Sequence, residues 1–459
     1  MKVGFISLGC NKNLVDTEKT IALFKSHGYE IVNDAKKAEI IIVNTCGFIE
    51  SAKEEAINTI LEMAEYKKQN CKYLIAMGCL VERYKEELEK EIPEVDLYIK
   101  YSEYDKFWNK VENLLNDEKS KYSKQNQCEK INKEKNINEN ANSEEKHFDE
   151  LSDRVITTGE HYAYLKIADG CSNYCTYCAI PSIRGPLKSR TMESILEEAN
   201  ILVEKGYKEI ILTAQDTTKY GIDNYGKPML SELMEKLCQI SEIKWVRFLY
   251  AYPETITDDL IDTIKKHPQI CPYFDIPIQH ISDTVLKRMN RNSNGKSIRN
   301  LITKLRKELP NVILRTTVMV GFPGETDKEF QELYNFLQEA KFDKLGAFMY
   351  SKEEGTPAEK MKPQVHLQTK KSRYNKIMKL QQEISRKNLE EKLGKNYEVM
   401  IEGITKNAEY YVGRSYMDTP EIDGVIYIKN TKPLQSGEFV NCKITEVKDY
   451  DLIGKIKCE

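Results

Sequence analysis

Three short apolar runs near the start of the chain, "GFISLGC", "IIIVNTC" and "YLIAMGC", each close on a cysteine: Cys10, Cys46 and Cys79. Stretches of helical period separate them. "LVDTEKTIALFKSHG" has Gly28 as its stop signal, and "ESAKEEAINTILEMAEYKK" is amphipathic. Such alternation specifies a parallel sheet with crossover helices, because each strand must return to the same edge before the next one starts. The carboxyl ends of the strands then share one edge, where open α/β sheets bind ligands. If the strands are neighbours, the three thiols converge. Gly9, Gly47 and Gly78 flank them and allow close backbone approach. The alternative is three buried cysteines acting as small hydrophobes.

The rest of the chain changes character three times. Residues 118–150 hold seven Lys, seven Glu and six Asn with few large apolar side chains. Burial cannot offset the ordering entropy of such a composition, so a disordered charged linker is expected over 117–156. Residues 162–351 alternate again, with strands expected at "YAYLKIA", "EIILTAQ", "WVRFLYAY", "YFDIPIQ", "VILRTTVMVGF" and "KLGAFMYS". Six βα units make a partial TIM-like barrel. After a polar helical segment at 366–394, five short strands punctuated by Gly, Asp and Pro suit a small antiparallel barrel. The expected class is α/β, with domains at 1–116, 157–388 and 390–459.

A second set of cysteines is tighter. "DGCSNYCTYCAIPSIRGP" places Cys171, Cys175 and Cys178 directly after the first strand of the six-unit barrel, at the end where such barrels keep their active sites. A closed zinc site needs a fourth ligand, and neither His161 nor Cys238 has finger-like spacing. A cubane [4Fe–4S] cluster on three thiolates keeps one iron open to a substrate or cofactor. The alternative is a degenerate zinc knuckle. Cys10, Cys46 and Cys79 admit a second such cluster. Cys71, Cys128, Cys238, Cys271, Cys442 and Cys458 show no partner spacing.

CxxxCxxC after the first strand of a six-unit barrel resembles the radical S-adenosylmethionine superfamily. With the N-terminal cysteines and the small C-terminal barrel, the whole chain resembles its methylthiotransferase family, nearest the ribosomal-protein branch in "SLGCNKNLVDTE" and "GRSYMDTPEIDG". The resemblance implies a radical cluster on Cys171, Cys175 and Cys178, an auxiliary cluster on Cys10, Cys46 and Cys79, and a C-terminal TRAM barrel. It also implies S-adenosyl-L-methionine as cofactor, with Gln215, Asp216 and Arg315 as its neighbours. An electron donor such as flavodoxin or ferredoxin and a sulfur donor complete the expected partners.

Charge bears on the substrate. Residues 396–459 carry eleven acidic against eight basic side chains. A nucleic-acid module is expected to be basic. An acidic one suits a basic protein such as a small-subunit ribosomal protein, with Asp418, Glu421 and Asp423 on the contact. The resemblance to the ribosomal-protein branch implies methylthiolation of an aspartate β-carbon in that protein. Two rivals remain: a tRNA adenosine methylthiotransferase, and a non-catalytic iron–sulfur sensor or electron carrier. No apolar run is long enough to span a bilayer, and clustered reduced cysteines fit a cytoplasmic protein.

Overall fold

The computed structural model describes residues 1–125, Phe148, 153–430 and 433–457. The chain forms two compact units: Met1–Ile156 with Ser182–Arg184, and Thr157–Pro181 with Gly185–Glu459.

The first unit is built on strands β1 (Lys2–Ser7), β2 (Glu30–Ile31), β3 (Ile40–Thr45), β4 (Tyr73–Gly78) and β5 (Leu97–Lys100). They pair in parallel in the order β2-β1-β3-β4-β5. The run "IIIVNT" is buried at all six positions, because helices cover both faces of the sheet. One face packs Ile41, Val43, Leu74 and Ala76 against α2 (Glu50–Ala64) and α3 (Cys79–Glu91). The other packs Ile40, Ile42, Tyr73 and Ile75 against α1 (Asn11–Ser26) and α4 (Phe107–Gln125).

The linker expectation needs correction at both ends. Helix α4 continues to Gln125. Phe148 is buried in the first unit's core, and its carbonyl accepts from Lys19 Nζ at 3.2 Å. Arg154 is buried too, 2.8 Å from Glu18. These few apolar and charged anchors are diluted in a composition average. The rest of the segment, with Cys128, lies outside the described residues, as does Cys458.

The second unit opens with β6 (Tyr162–Lys166), followed by a short antiparallel pair, β7 (Ala168–Asp169) and β8 (Lys188–Ser189). Then come β9 (Glu209–Thr213), β10 (Trp245–Phe248), β11 (Tyr273–Gln279), β12 (Ile313–Val320) and β13 (Lys344–Met349). The six long strands are those expected. They pair in parallel as β10-β9-β6 and β11-β12-β13, and a parallel bridge between Val246 and Ile270 links the two halves. After the helix Leu367–Glu390, strands β14 (Asn396–Ile404), β15 (Tyr410–Arg414), β16 (Ile426–Lys429), β17 (Phe439–Val447) and β18 (Leu452–Ile456) close a barrel in the order β14-β15-β16-β18-β17. It is not wholly antiparallel as expected: β16 and β18 run parallel.

The closed barrel is fastened to the amino-terminal ends of the parallel strands by buried charge. Glu209, the first residue of β9, takes Arg247 Nε at 2.8 Å and Arg414 Nη2 at 2.7 Å. Arg414 reaches on to Glu402 at 2.6 Å, and His161 Nε2 lies 3.1 Å from the same carboxylate. All three of Glu209, Arg247 and Arg414 are essentially inaccessible.

Burial raises the cost of ionising Glu209, but Arg414 and Arg247 outweigh it and hold its carboxyl below the ordinary value. A carboxyl depressed in the folded state stabilises fully above its unfolded pKa, about 4.3. That stabilisation drains away as pH falls through the folded value. Glu209→Gln leaves two guanidinium groups buried without their shared counter-charge, which costs about 3–5 kcal/mol. Thermal unfolding of the cluster-free protein followed by circular dichroism should show a lowered midpoint at neutral pH and a shallower acid dependence. An unchanged midpoint would make the network energetically idle.

Candidate metal centres

Register brings the first three cysteines together. Ser7 pairs with Asn44, and Thr45 pairs with Gly78, so β1, β3 and β4 end almost level. Cys10 caps α1, Cys46 follows β3, and Cys79 opens α3. The loops lie against one another. A Cβ on Gly9 would come within 2.7 Å of Cys46 Cβ and 3.0 Å of its Sγ, and one on Gly47 within 2.9 Å of the Cys79 carbonyl. The glycines therefore let the loops lie against one another.

Asn13, which sequence reasoning passed over, ties these loops. Its Nδ2 donates to Leu8 O at 3.1 Å and Thr45 O at 3.0 Å. Its Oδ1 accepts from Cys79 Sγ at 3.6 Å and Arg184 Nη2 at 2.5 Å. Arg184 also pairs with Asp16 at 3.1 Å and lies over the Tyr101 ring. Burial works against the Cys10 thiolate, but Lys12, Arg184 and the amides of Asn13 and Lys12 outweigh it and hold the thiol below its usual value. Burial raises Cys46, and pushes Cys79 up to about 11.

In the second unit, Cys171, Cys175 and Cys178 lie in the loop after β6 and β7. The Cys178 amide donates to Cys175 O at 3.0 Å, and the Cys171 amide to Gly185 O at 3.0 Å. A second loop pins this one. Thr176 donates through its amide to Met289 O at 3.1 Å and through its hydroxyl to Arg288 O at 2.9 Å. Asn290 Nδ2 donates to Tyr174 O at 3.0 Å. Burial raises Cys171 and pushes Cys178 up to about 12. Beside Cys175 is a cavity of about 70 Å³ lined by Asn173, Lys219, Tyr252 and Arg291 among others.

Of the expected cofactor neighbours, two reach this end. Gln215 follows β9, and its Oε1 is buried without a hydrogen-bond partner. Asp216 accepts from Asn173 Nδ2 at 2.9 Å and Thr218 at 2.6 Å, so its carboxylate supports the cysteine loop. Arg315 does not reach it. It is the third residue of β12, near the opposite end of the strand, and pairs with Asp275 at 2.6 Å. Arg291 and Tyr252, which do reach Cys175, come from loops more than seventy residues away and carried no sequence signal.

Two of the expected substrate contacts are also corrected. Asp418 is buried and paired with Lys344 at 2.7 Å. Asp423 accepts from the Tyr273 hydroxyl at 2.7 Å. Both serve the attachment of the C-terminal barrel. Glu421 stays exposed, with Tyr162 as a hydrogen-bond donor at 3.3 Å. Cys71, Cys271 and Cys442 are buried and Cys238 is half-buried. No helix among the described residues is long and apolar enough to cross a membrane. Nor is any group of three His, Cys, Asp or Glu among them set to hold a single metal ion.

The comparisons with known proteins follow the same division. The Radical SAM superfamily matches residues 165–337, the Uncharacterized protein family UPF0004 matches 2–100, and the TRAM domain matches 393–456. The chain is 58% identical over 460 residues to "Ribosomal protein uS12 methylthiotransferase RimO" of Alkaliphilus oremlandii, covering 100% of both chains. It is 50% identical to the protein of the same name from Acetivibrio thermocellus, over 99% of this chain and 98% of that one. Among solved structures, the radical S-adenosylmethionine methyltransferase TsrM from Kitasatospora setae shares the fold, with TM-score 0.53 and 11% identity over 78% of this chain and 74% of that one.

Fold and cysteine loop together define a radical S-adenosylmethionine enzyme, a methylthiotransferase. Within that class the chain belongs to the RimO family.

The individual cysteines of the two triads should differ in reactivity before any cluster is loaded. In cluster-free protein at about pH 8, iodoacetamide should modify Cys10 first and Cys79 and Cys178 last, since only thiolate reacts. Peptide mass mapping over time gives the order. Early labelling of Cys178 or Cys79 would contradict the electrostatics described above.

Proposed function

We propose that this chain methylthiolates the β-carbon of an aspartate in ribosomal protein uS12. The shared name of its full-length relatives carries the substrate assignment. Cys171, Cys175 and Cys178 would hold one [4Fe–4S] cluster and Cys10, Cys46 and Cys79 another. The donor sets fit: each is three thiols beside a buried guanidinium. When bound, the first cluster and S-adenosyl-L-methionine supply the radical that removes a hydrogen, and the second supplies the sulfur.

The chain's own residues orient and enclose. Gln215 offers a free buried acceptor to the cofactor beside the cysteine loop, and Asp216 steadies that loop through Asn173. Asn13 fixes the loops carrying Cys10, Cys46 and Cys79 relative to one another. Glu421 is the one carboxylate of its loop left open to a basic partner. A one-electron donor such as flavodoxin or ferredoxin and a sulfur donor act from outside, in the cytoplasm.

Anaerobically reconstituted protein should bind about eight irons, and Cys171, Cys175 and Cys178→Ala together about four. That variant should form no 5′-deoxyadenosine. A Cys10, Cys46 and Cys79→Ala variant should still form it, yet leave uS12 unmodified by mass spectrometry. Methylthio label on tRNA adenosine, with uS12 unchanged, would transfer the reading to the tRNA branch.

A further inference from the structure

Seven arginines are buried among the described residues, and six of them hold a carboxylate within 3.1 Å. Arg291 is the exception. It is 6% exposed and makes no ion pair. Its Nη2 donates to Pro277 O at 2.9 Å, and its Nε has no hydrogen-bond partner. The guanidinium lies 4.2 Å over the Tyr252 ring, with Nη1 4.0 Å from Cys175 Sγ. Glu254, the nearby carboxylate, turns instead to the Ser293 amide at 2.8 Å. An unpaired buried charge is costly, and chains normally pair it. Here the missing partner is an anion on the Cys175 side.

We infer that Arg291 is the built-in counter-charge of the cluster on Cys171, Cys175 and Cys178, and that with Tyr252 it raises that cluster's reduction potential. The inference rests on the reading that these cysteines hold a [4Fe–4S] cluster. Three thiolates on an oxidised cubane leave one net negative charge. One electron from an external reductant makes it two, with no bond formed or broken. A fixed cation attracts the doubly charged form more strongly, so reduction becomes easier. The Tyr252 hydroxyl, 3.6 Å from Cys175 Sγ, adds a hydrogen bond to the same sulfur. Arg291 is thus a positioning and electrostatic residue rather than a cluster ligand.

The test is a mediated redox titration followed by electron paramagnetic resonance, using full-length protein reconstituted after Cys10, Cys46 and Cys79→Ala so that one cluster is read. Should that background fold poorly, the two-cluster protein serves, with the signal that S-adenosylmethionine perturbs taken as the radical cluster's. Arg291→Gln should lower the reduced-to-oxidised ratio at fixed poise about tenfold, ~59 mV for one electron. Arg291→Lys should restore most of it, and Tyr252→Phe should shift it less, in the same direction. An Arg291→Gln midpoint equal to wild type overturns the inference. So does an Arg291→Lys shift as large as that of Arg291→Gln, or loss of iron from both. Failure of the unsubstituted Cys171 set to take up iron overturns the cluster reading as well.

Discussion

Everything functional in this chain depends on the direction of its parallel strands. A parallel sheet places all its carboxyl ends on one edge, so residues thirty or more positions apart meet if they follow neighbouring strands in matching register. In the first unit that register is set by Ser7 opposite Asn44 and Thr45 opposite Gly78. A one-residue slip of β3 would carry Cys46 away from Gly9 and turn the apolar run over.

The same polarity divides labour in the second unit. The carboxyl ends of its strands carry the cysteine loop, Gln215, Asp216, Tyr252 and Arg291. The amino ends carry Glu209, Tyr273 and Lys344, which are occupied by Arg414, Asp423 and Asp418 of the closed barrel. Attachment and chemistry are kept at opposite ends, so buried ion pairs can hold the C-terminal barrel without charging the surroundings of the cluster loop.

That division explains what was legible in the sequence. Cysteines at strand ends are visible because strand, turn and ligand are contiguous in the chain. The six barrel strands are visible because each is a β-rich apolar run between helical patterns. Arg315 misled because membership of the right strand says nothing about which end a side chain occupies. Asp418 and Asp423 misled because a count of charges cannot tell whether the partner is another molecule or Lys344 and Tyr273 of the same chain. Asn13, Tyr252 and Arg291 were missed because their roles exist only after distant loops meet.

Buried arginine gives the sharpest separation between structure and function in this fold. Where a guanidinium serves architecture, the chain provides its carboxylate: Glu18 for Arg154, Glu198 for Arg190, Glu209 for Arg247 and Arg414. Such pairs are electrically closed and have little field left to offer a ligand. Arg291 is left open, held by one carbonyl and one aromatic face beside Cys175. Neutral anchors fix its position without cancelling its charge. A site that must stabilise extra negative charge needs a cation held that way, since any carboxylate close enough to hold it would also screen it.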